Sequence, residues 1–271
     1  MQHNIHVQSH ETRREIAEKR PHKREASDQA FKLLTLVMVQ GQMKQRTTLR
    51  AYHQGIDFNL ARFLASAKSD TTIPDFGKPV LPEVKPLTGR ANCGKSSLLN
   101  AVLGRKYLLS KSKHAGSTRS LDFYQVGEGK ASAIFVDAPG YGRSARSQWG
   151  DLFTQYITTR PQLKRIYILI NGVHGVKESD VQMLEYLSTK LVDARGIQPF
   201  TVQAVVTKVD LIPSKHMVAS LEDMRTSIFA NAPLCLPPIF TSVTMNPPFG
   251  VDTVRSNISD VCGFPLVAQD Y

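Results

Sequence analysis

The segment from Gly89 to Ser97, with the sequence GRANCGKSS, fits the phosphate-binding pattern G-x-x-x-x-G-K-[ST]. Such a loop joins a strand to a helix and surrounds a pyrophosphate with backbone N–H groups, which bulky side chains at its tightest positions would obstruct. A helix that begins near Lys95 adds the positive end of its dipole to the same site. The pattern therefore predicts an α/β domain that binds nucleotide phosphates. The predicted phosphate-loop residues are Gly89, Arg90, Ala91, Asn92, Cys93, Gly94, Lys95, Ser96 and Ser97.

Three further motifs follow this loop in the order that a nucleotide switch requires. Thr118 lies in a polar stretch, the segment from Asp137 to Gly140 has the sequence DAPG, and the segment from Thr207 to Asp210 has the sequence TKVD. A single short match of this kind can be accidental. Four matches in sequence order, three of them preceded by apolar runs, favour a genuine nucleotide site.

The motifs also predict how the phosphates and the metal are held. Lys95 is expected to contact the β- and γ-phosphates, and the hydroxyl of Ser96 is expected to bind Mg²⁺. Asp137 would reach the same Mg²⁺ through water, and Gly140 would donate its N–H to the γ-phosphate. Thr118 would bind the metal only when the γ-phosphate is present. The predicted catalytic residues are Lys95, Thr118 and Gly140, and the predicted Mg²⁺ ligands are Ser96, Thr118 and Asp137.

Asp210 indicates which base is bound. A carboxylate can accept hydrogen bonds from N1–H and from the 2-amino group of guanine, whereas adenine has neither donor. A site built around such polar groups rejects an analogue that leaves them unpaired. Lys208 is expected to lie along the base with its aliphatic stem, and Thr207 completes the motif. GTP and GDP are therefore the predicted ligands, and Asp210 argues against the rival prediction of a P-loop ATPase or kinase.

Composition limits the remaining possibilities. The formal net charge is +11, which suggests a polyanionic partner such as nucleic acid, although solubility or residence in a basic compartment explains it equally well. The three cysteines are widely spaced and fit neither a disulfide framework nor a zinc site, so Cys93 is expected only to pack. No apolar run is long enough to predict a transmembrane helix.

The chain divides into three predicted regions. Residues 1–57 form a basic, polar extension that is partly disordered or helical; residues 58–82 form a lead-in helix over 58–67 and a Pro-rich connector; and residues 83–265 form the nucleotide-binding domain. Pro86 is expected to interrupt the first strand of that domain. Alternating apolar segments predict a three-layer α/β domain with a six-stranded, mostly parallel sheet. The predicted strands are 84–88, 121–126, 131–136, 165–170, 201–206 and 238–241, and the predicted helices are 95–103, 148–159, 179–193, 216–230 and 251–262.

These motifs together resemble the EngB (YihA/YsxC) family of translation-associated P-loop GTPases. The family's GRSNxGKSSLLN is matched by GRANCGKSSLLN at 89–100, and its DxPGYG by DAPGYG at 137–142. The lead-in FxxSA is present at 63–67, PEV at 82–84, and TKxD, with Thr in place of the commoner Asn, at 207–210. The family segment RHGLKxxD is similar to VHGVKESD at 173–180. The resemblance covers residues 60–265.

The chain departs from the family pattern at a few positions. Ala91 replaces a serine, and Asn171 stands where an aspartate is expected. The last base-contacting motif has the sequence TSVT at 241–244, without the expected lysine. This leaves backbone contacts from Ser242 and Val243 as the predicted contribution of that motif and puts the role of Thr244 in doubt.

The resemblance implies a GTPase switch that assists assembly of the large ribosomal subunit, with that subunit or its rRNA as the partner. Eukaryotic relatives act in mitochondria or plastids, and this chain is similar to a eukaryotic, fungal-like mitochondrial member. The expected location is thus the mitochondrial matrix, or the cytoplasm if the chain is not organellar, and a monomer is favoured. Two alternatives stay open: a nucleotide-gated scaffold with little hydrolysis, and a GTPase that acts on a non-ribosomal target.

We predict that K⁺ accelerates hydrolysis by this chain relative to Na⁺. Tyr141 stands where many switches have a water-orienting glutamine, so intrinsic hydrolysis should be slow. Asn92 lies where related GTPases coordinate a K⁺ ion that bridges the phosphates. Single-turnover rates measured in matched K⁺ and Na⁺ buffers test this prediction, and equal rates would count against it.

Overall fold

The computed structural model describes residues 55–69, 73–76, 81–90, 92–104, 120–129, 131–138, 147–192, 196 and 198–264. The predictions for residues 1–54, and those for Ala91, Thr118 and Gly140, lie outside these ranges. Within them the strands are β1 (Ala61–Ala67), β2 (Glu83–Gly89), β3 (Leu121–Glu128), β4 (Ala131–Asp137), β5 (Leu163–Asn171), β6 (Thr201–Thr207) and β7 (Leu236–Phe240). The helices are α1 (Lys95–Val102), α2 (Ser147–Thr159), α3 (Glu178–Ser188), α4 (Met217–Asn231) and α5 (Val251–Val261).

The seven strands form one mixed sheet in the order β1-β3-β4-β2-β5-β6-β7. The pairs β1/β3 and β3/β4 are antiparallel, and the four remaining pairs, from β4/β2 to β6/β7, are parallel. The near-continuous apolar runs of β4, β5 and β6 are buried, as expected for strands covered on both faces. One core cluster joins the sheet to α2, α3 and α4, and a second joins it to α1 and α5. The predicted three-layer α/β architecture is confirmed.

The strand count and the lead-in helix were predicted wrongly. The sheet has seven strands rather than six, because the segment expected to be a helix over 58–67 contains β1. The side chain of Arg62 bonds to Gln125 across the pair, with 2.7 Å between Nη2 and Oε1, and Phe63 packs edge-on against Tyr124. Residues 61–67 form a strand because they pair with the otherwise open edge of β3. The periodicity of their own side chains does not reveal that pairing.

Pro86 interrupts the pairing of β2 as predicted. Only Glu83 and Val84 of β2 are in register with β4, and the register with β5 shifts between Lys85 and Thr88. Proline has no N–H to donate to a ladder, which accounts for the break. The strand resumes its pairing at Thr88 and Gly89, where the phosphate loop begins.

A buried ion pair fixes the opposite end of β2. Glu83 is 1% exposed, and its carboxylate accepts hydrogen bonds from the guanidinium of Arg160, which follows α2. The hydroxyl of Tyr156 donates to the same carboxylate at 2.7 Å, and Nη1 of Arg160 donates to the carbonyl of Pro74 at 3.2 Å. Three segments of the chain therefore meet around one carboxylate.

None of the helices in the described ranges is long and apolar enough to span a bilayer.

We predict that Glu83→Gln lowers the free energy of unfolding by about 3 kcal/mol, because it leaves the guanidinium of Arg160, whose side chain is only 11% exposed, without its counter-charge. Urea unfolding followed by circular dichroism measures the effect. The exposed Glu128 at the end of β3 provides the matched control, since Glu128→Gln should change stability by no more than about 0.5 kcal/mol. Equal midpoints for the two variants would contradict a stabilising role for the pair.

Candidate functional site

The segment between β2 and α1 makes a tight turn that restricts which residues fit. A Cβ atom on Gly89 would lie 2.5 Å from Sγ of Cys93 and 3.1 Å from Cβ of Leu169, so only glycine allows this approach. Gly94 precedes the first residue of α1 with a φ of 98°, and Asn92 has a φ of 60°. Both values lie in the left-handed region, which glycine and asparagine tolerate best. The glycine and asparagine positions of the phosphate-loop pattern therefore follow from the backbone conformation of this turn.

Side chains from the carboxyl ends of two strands hold the carbonyl groups of this loop. The hydroxyl of Thr207, at the end of β6, donates to the carbonyl of Cys93. The next residue, Lys208, donates from Nζ to the carbonyl oxygen of Asn92 at 2.8 Å, and Nδ2 of Asn171 at the end of β5 lies 3.5 Å from that same oxygen. The phosphate loop and the TKVD motif, which are over 100 residues apart in sequence, are therefore in direct contact.

Lys95 and Asp137 form the charged centre of the site. Nζ of Lys95 lies 2.6 Å from Oδ1 of Asp137 and donates to the carbonyl of Ala138 at 2.8 Å. Burial raises the pKa of Asp137, and the positive charge of Lys95 opposes that rise. Nζ of Lys95 is thus held beside the carboxyl end of β4, and its contact with the β- and γ-phosphates stays a prediction.

The oxygen donors near this pair suit Mg²⁺. Ser96 lies in the first turn of α1 and Asp137 ends β4, so a hydroxyl and a carboxylate come from two elements next to the loop. Hydroxyl, carboxylate and water oxygens are ligands that Mg²⁺ prefers. The described part of the chain contains no cluster of three or more His, Cys, Asp or Glu side chains that could hold a metal. The remaining ligands would have to come from nucleotide, water and Thr118, which lies outside the described residues.

Cys93 serves packing rather than chemistry. Its side chain is 2% exposed, and burial raises the pKa of the thiol to about 11. The thiol is therefore protonated at neutral pH and does not act as a nucleophile there. This agrees with its predicted role as a small side chain within the loop.

Arg90 connects the loop to the VHGVKESD segment. Nε of Arg90 lies 3.6 Å from Oδ2 of Asp180, a fully buried residue in the first turn of α3. The same oxygen accepts a hydrogen bond from the backbone N–H of Lys177 at 2.9 Å, which caps α3.

The nucleotide contacts of Arg90, Asn92 and Ser97 stay predictions. The K⁺ role of Asn92 also stays a prediction.

Asp210 presents one unpaired carboxylate oxygen at the other end of the site. It lies in a short 3-10 turn (Val209–Leu211) directly after Lys208, whose φ is 57°. Oδ2 of Asp210 accepts a hydrogen bond from the hydroxyl of Thr244 at 2.7 Å, whereas Oδ1 is shielded from solvent and has no donor within the described residues. A buried acceptor without a donor costs about 1–3 kcal/mol, which a ligand offering N–H groups could recover.

The TSVT segment lies against the TKVD motif. The N–H of Val209 bonds to the carbonyl of Thr241 at 3.3 Å, and the N–H of Thr241 bonds to the carbonyl of Val206 at 2.7 Å. The N–H and carbonyl of Ser242 are both bonded to Phe249, so a nucleotide contact from the Ser242 N–H would have to replace one of these bonds. Val243 stays a predicted contact. The sequence did not predict the hydrogen bond from Thr244 to Asp210. The TSVT segment lacks the expected lysine, and that absence does not point to such a bond.

Comparisons with known proteins agree with this geometry. The model of the 50S ribosome-binding GTPase family matches residues 86–206. The GTP-binding protein EngB of Roseobacter denitrificans is 35% identical over 178 residues, which cover 64% of this chain and 76% of that protein. The EngB of Geobacillus kaustophilus is 33% identical over 174 residues, which cover 61% of this chain and 82% of that protein. The chain belongs to the EngB family.

Structural similarity supports the same fold for this EngB-family chain. A solved structure of the chloroplast translocon components atToc33 and psToc159 has a TM-score of 0.52 at 14% identity, covering 67% of this chain and 82% of that one. At that identity the likeness shows the fold alone. The predicted P-loop GTPase fold is thereby confirmed, and the family assignment makes the chain a GTP-binding protein.

We predict that Asp210→Asn exchanges guanine for xanthine as the preferred base. The amide can donate to the 2-oxo group of xanthine, whereas it opposes the 2-amino group of guanine with its own N–H groups. The affinity for GDP should fall about 100-fold or more and that for xanthosine diphosphate should rise. Competition against a fluorescent GDP measures both, and the exposed Asp223 on α4 supplies a control, since Asp223→Asn should bind like the unaltered chain. Unchanged GDP affinity in Asp210→Asn would place the base elsewhere.

Proposed function

We propose that this chain is a GTP-hydrolysing switch that assists assembly of the large ribosomal subunit in the mitochondrial matrix. The observation that supports the nucleotide part is the direct contact between the phosphate loop and the TKVD motif, which brings together the segments that carry Lys95 and Asp210. A nucleotide held by its phosphates at the loop and by its base at the TKVD motif would lie at the carboxyl edge of the sheet, where ligands bind in such folds.

Nucleotide binding would change the contacts of Lys95. Its ammonium group is held by Asp137 and by the carbonyl of Ala138, and both interactions compete with a triphosphate for the same charge. Phosphates bound there would draw the ammonium group of Lys95 away from Asp137, and the freed carboxylate would be one of the groups that hold Mg²⁺. Mg²⁺, held by Ser96 and by Asp137 through water, would neutralise charge on the phosphates. This exchange links the bound nucleotide to the end of β4, where the DAPG segment begins.

Hydrolysis is proposed to be slow without a partner. The residue after Gly140 in the sequence is Tyr141, which has no side-chain amide to orient the attacking water. Lys95, Mg²⁺ and backbone N–H groups would stabilise the transition state, with K⁺ near Asn92 as the further cation that we propose. The chain would therefore keep GTP intact until a partner or an ion accelerates its hydrolysis.

A ribosomal partner is supported by the family and by charge. The matching family model is described as a 50S ribosome-binding GTPase, and the net charge of +11 favours association with RNA phosphates. A mitochondrial ribosome as the target extends the resemblance to eukaryotic relatives that act in organelles. A net charge of +11 also favours binding to other polyanions. The test of a ribosomal partner therefore compares binding in different nucleotide states at constant salt.

Sedimentation of the full chain with large ribosomal subunits tests this function. We expect mitochondrial subunits to retain the chain at physiological salt with a non-hydrolysable GTP analogue, and to release most of it with GDP. Salt is held constant because RNA binding by a basic protein depends steeply on ionic strength. Bacterial and cytoplasmic large subunits serve as comparisons, and stronger retention by either of them would contradict the mitochondrial assignment.

The Asp210→Asn variant provides the matched control for this sedimentation. Its retention should respond to a xanthosine triphosphate analogue and no longer to the guanosine analogue, because only the base contact has changed. Retention that is equal in all nucleotide states and falls with salt for both proteins would contradict a nucleotide-gated ribosomal function.

A further inference from the structure

A short chain of hydroxyl groups ends on the carboxylate of Asp210. Oγ1 of Thr244 lies 2.7 Å from Oδ2 of Asp210, and Oγ of Ser242 lies 3.1 Å from Oγ1 of Thr244. We propose that Thr244 is a positioning residue that sets selectivity for guanine by fixing the orientation of the Asp210 carboxylate. This inference rests on the proposed role of Asp210 in binding the base.

The direction of the hydrogen bonds follows from the chemistry of the groups. An ionised carboxylate can only accept, so Thr244 must use its single hydroxyl hydrogen on Asp210. Thr244 can therefore only accept from Ser242, which makes Ser242 the donor at 3.1 Å. Ser242 is 1% exposed and its backbone is held by Phe249, so the chain of hydroxyls starts from a fixed point.

The carboxylate of Asp210 needs such a fixed partner because its own torsion is soft. The χ2 angle of an aspartate has a broad energy profile, and rotation about it moves both oxygens relative to a bound base. The bond from Thr244 engages Oδ2 alone and leaves Oδ1 without a donor from the part of the chain that the structure describes. Since a carboxylate oxygen can accept more than one hydrogen bond, Oδ2 stays able to receive a second donor. Fixing this torsion would therefore set where both oxygens lie relative to the N1–H and 2-amino groups of a bound guanine.

Thr244 lies in the part of the molecule where the chain departs from its family pattern. The TSVT segment has no lysine beside the base, and the contact of Thr244 with Asp210 supplies a different constraint at that place. The side chain of Thr244 is exposed, so its hydroxyl can be removed with little effect on the core. The function of this hydroxyl can therefore be separated from folding.

The test compares Thr244→Val, which keeps the shape and removes the hydroxyl, with Thr244→Ser, which keeps the hydroxyl. Affinities for GDP, IDP and ADP are measured by competition against a fluorescent GDP; IDP differs from GDP only in lacking the 2-amino group. We expect Thr244→Val to bind GDP about tenfold more weakly than the unaltered chain does. We also expect its preference for GDP over IDP to fall toward one, because a carboxylate free to rotate keeps the N1–H contact and loses alignment with the 2-amino group.

Thr244→Ser should retain both the affinity and the preference. Thr226→Val, at an exposed threonine on α4, should also match the unaltered chain, as should the melting temperatures of all three variants. Unchanged GDP binding by Thr244→Val, or equal weakening of GDP and IDP, would overturn the positioning role. Failure of the unaltered chain to prefer GDP over ADP would instead overturn the guanine site itself, so the two results are distinguishable.

Discussion

The structure of the nucleotide site depends on how the carbonyl groups of the phosphate loop are bound. The hydroxyl of Thr207 holds the carbonyl of Cys93, and Lys208 holds that of Asn92. A trans peptide directs its C=O and the following N–H to opposite sides, so the bond to Thr207 turns the N–H of Gly94 away from β6. The same strand end that orients the loop also carries the base-recognition motif. The proposed phosphate and base contacts therefore share one hydrogen-bonded junction.

The parallel core could be predicted from sequence because its signals are local. The runs that form β4, β5 and β6 are mostly apolar, and helical segments separate the parallel strands, a pattern that predicts strands buried on both faces. The site residues at the strand ends could be predicted for the same reason, since ligands bind at the carboxyl edge of such sheets. The contact between Lys95 and Asp137 joins two of the predicted site residues, whose roles toward phosphate and metal stay predictions.

Other features depend on contacts between distant residues, which a single sequence does not display. The strand β1 forms because β3 offers an unpaired edge, and the periodicity of its own residues fits a helix as well. The hydroxyl of Thr244 reaches Asp210 across 34 residues, and only the folded loop reveals the bond. The ion pair between Glu83 and Arg160 joins residues 77 positions apart and gave no sequence signal either. The sequence thus indicated which residues form the candidate site more fully than it indicated the interactions that orient them.

Calorimetric titration of the full chain with GDP, GMP and ADP in the presence of Mg²⁺ tests most directly whether one site requires both the phosphate loop and Asp210. We predict that GDP binds, that GMP binds at least about 100-fold more weakly because it lacks the pyrophosphate that the loop surrounds, and that ADP shows no binding at the same concentrations because it lacks the donors that Asp210 requires. Equal affinity for GDP and GMP, or for GDP and ADP, would contradict this account.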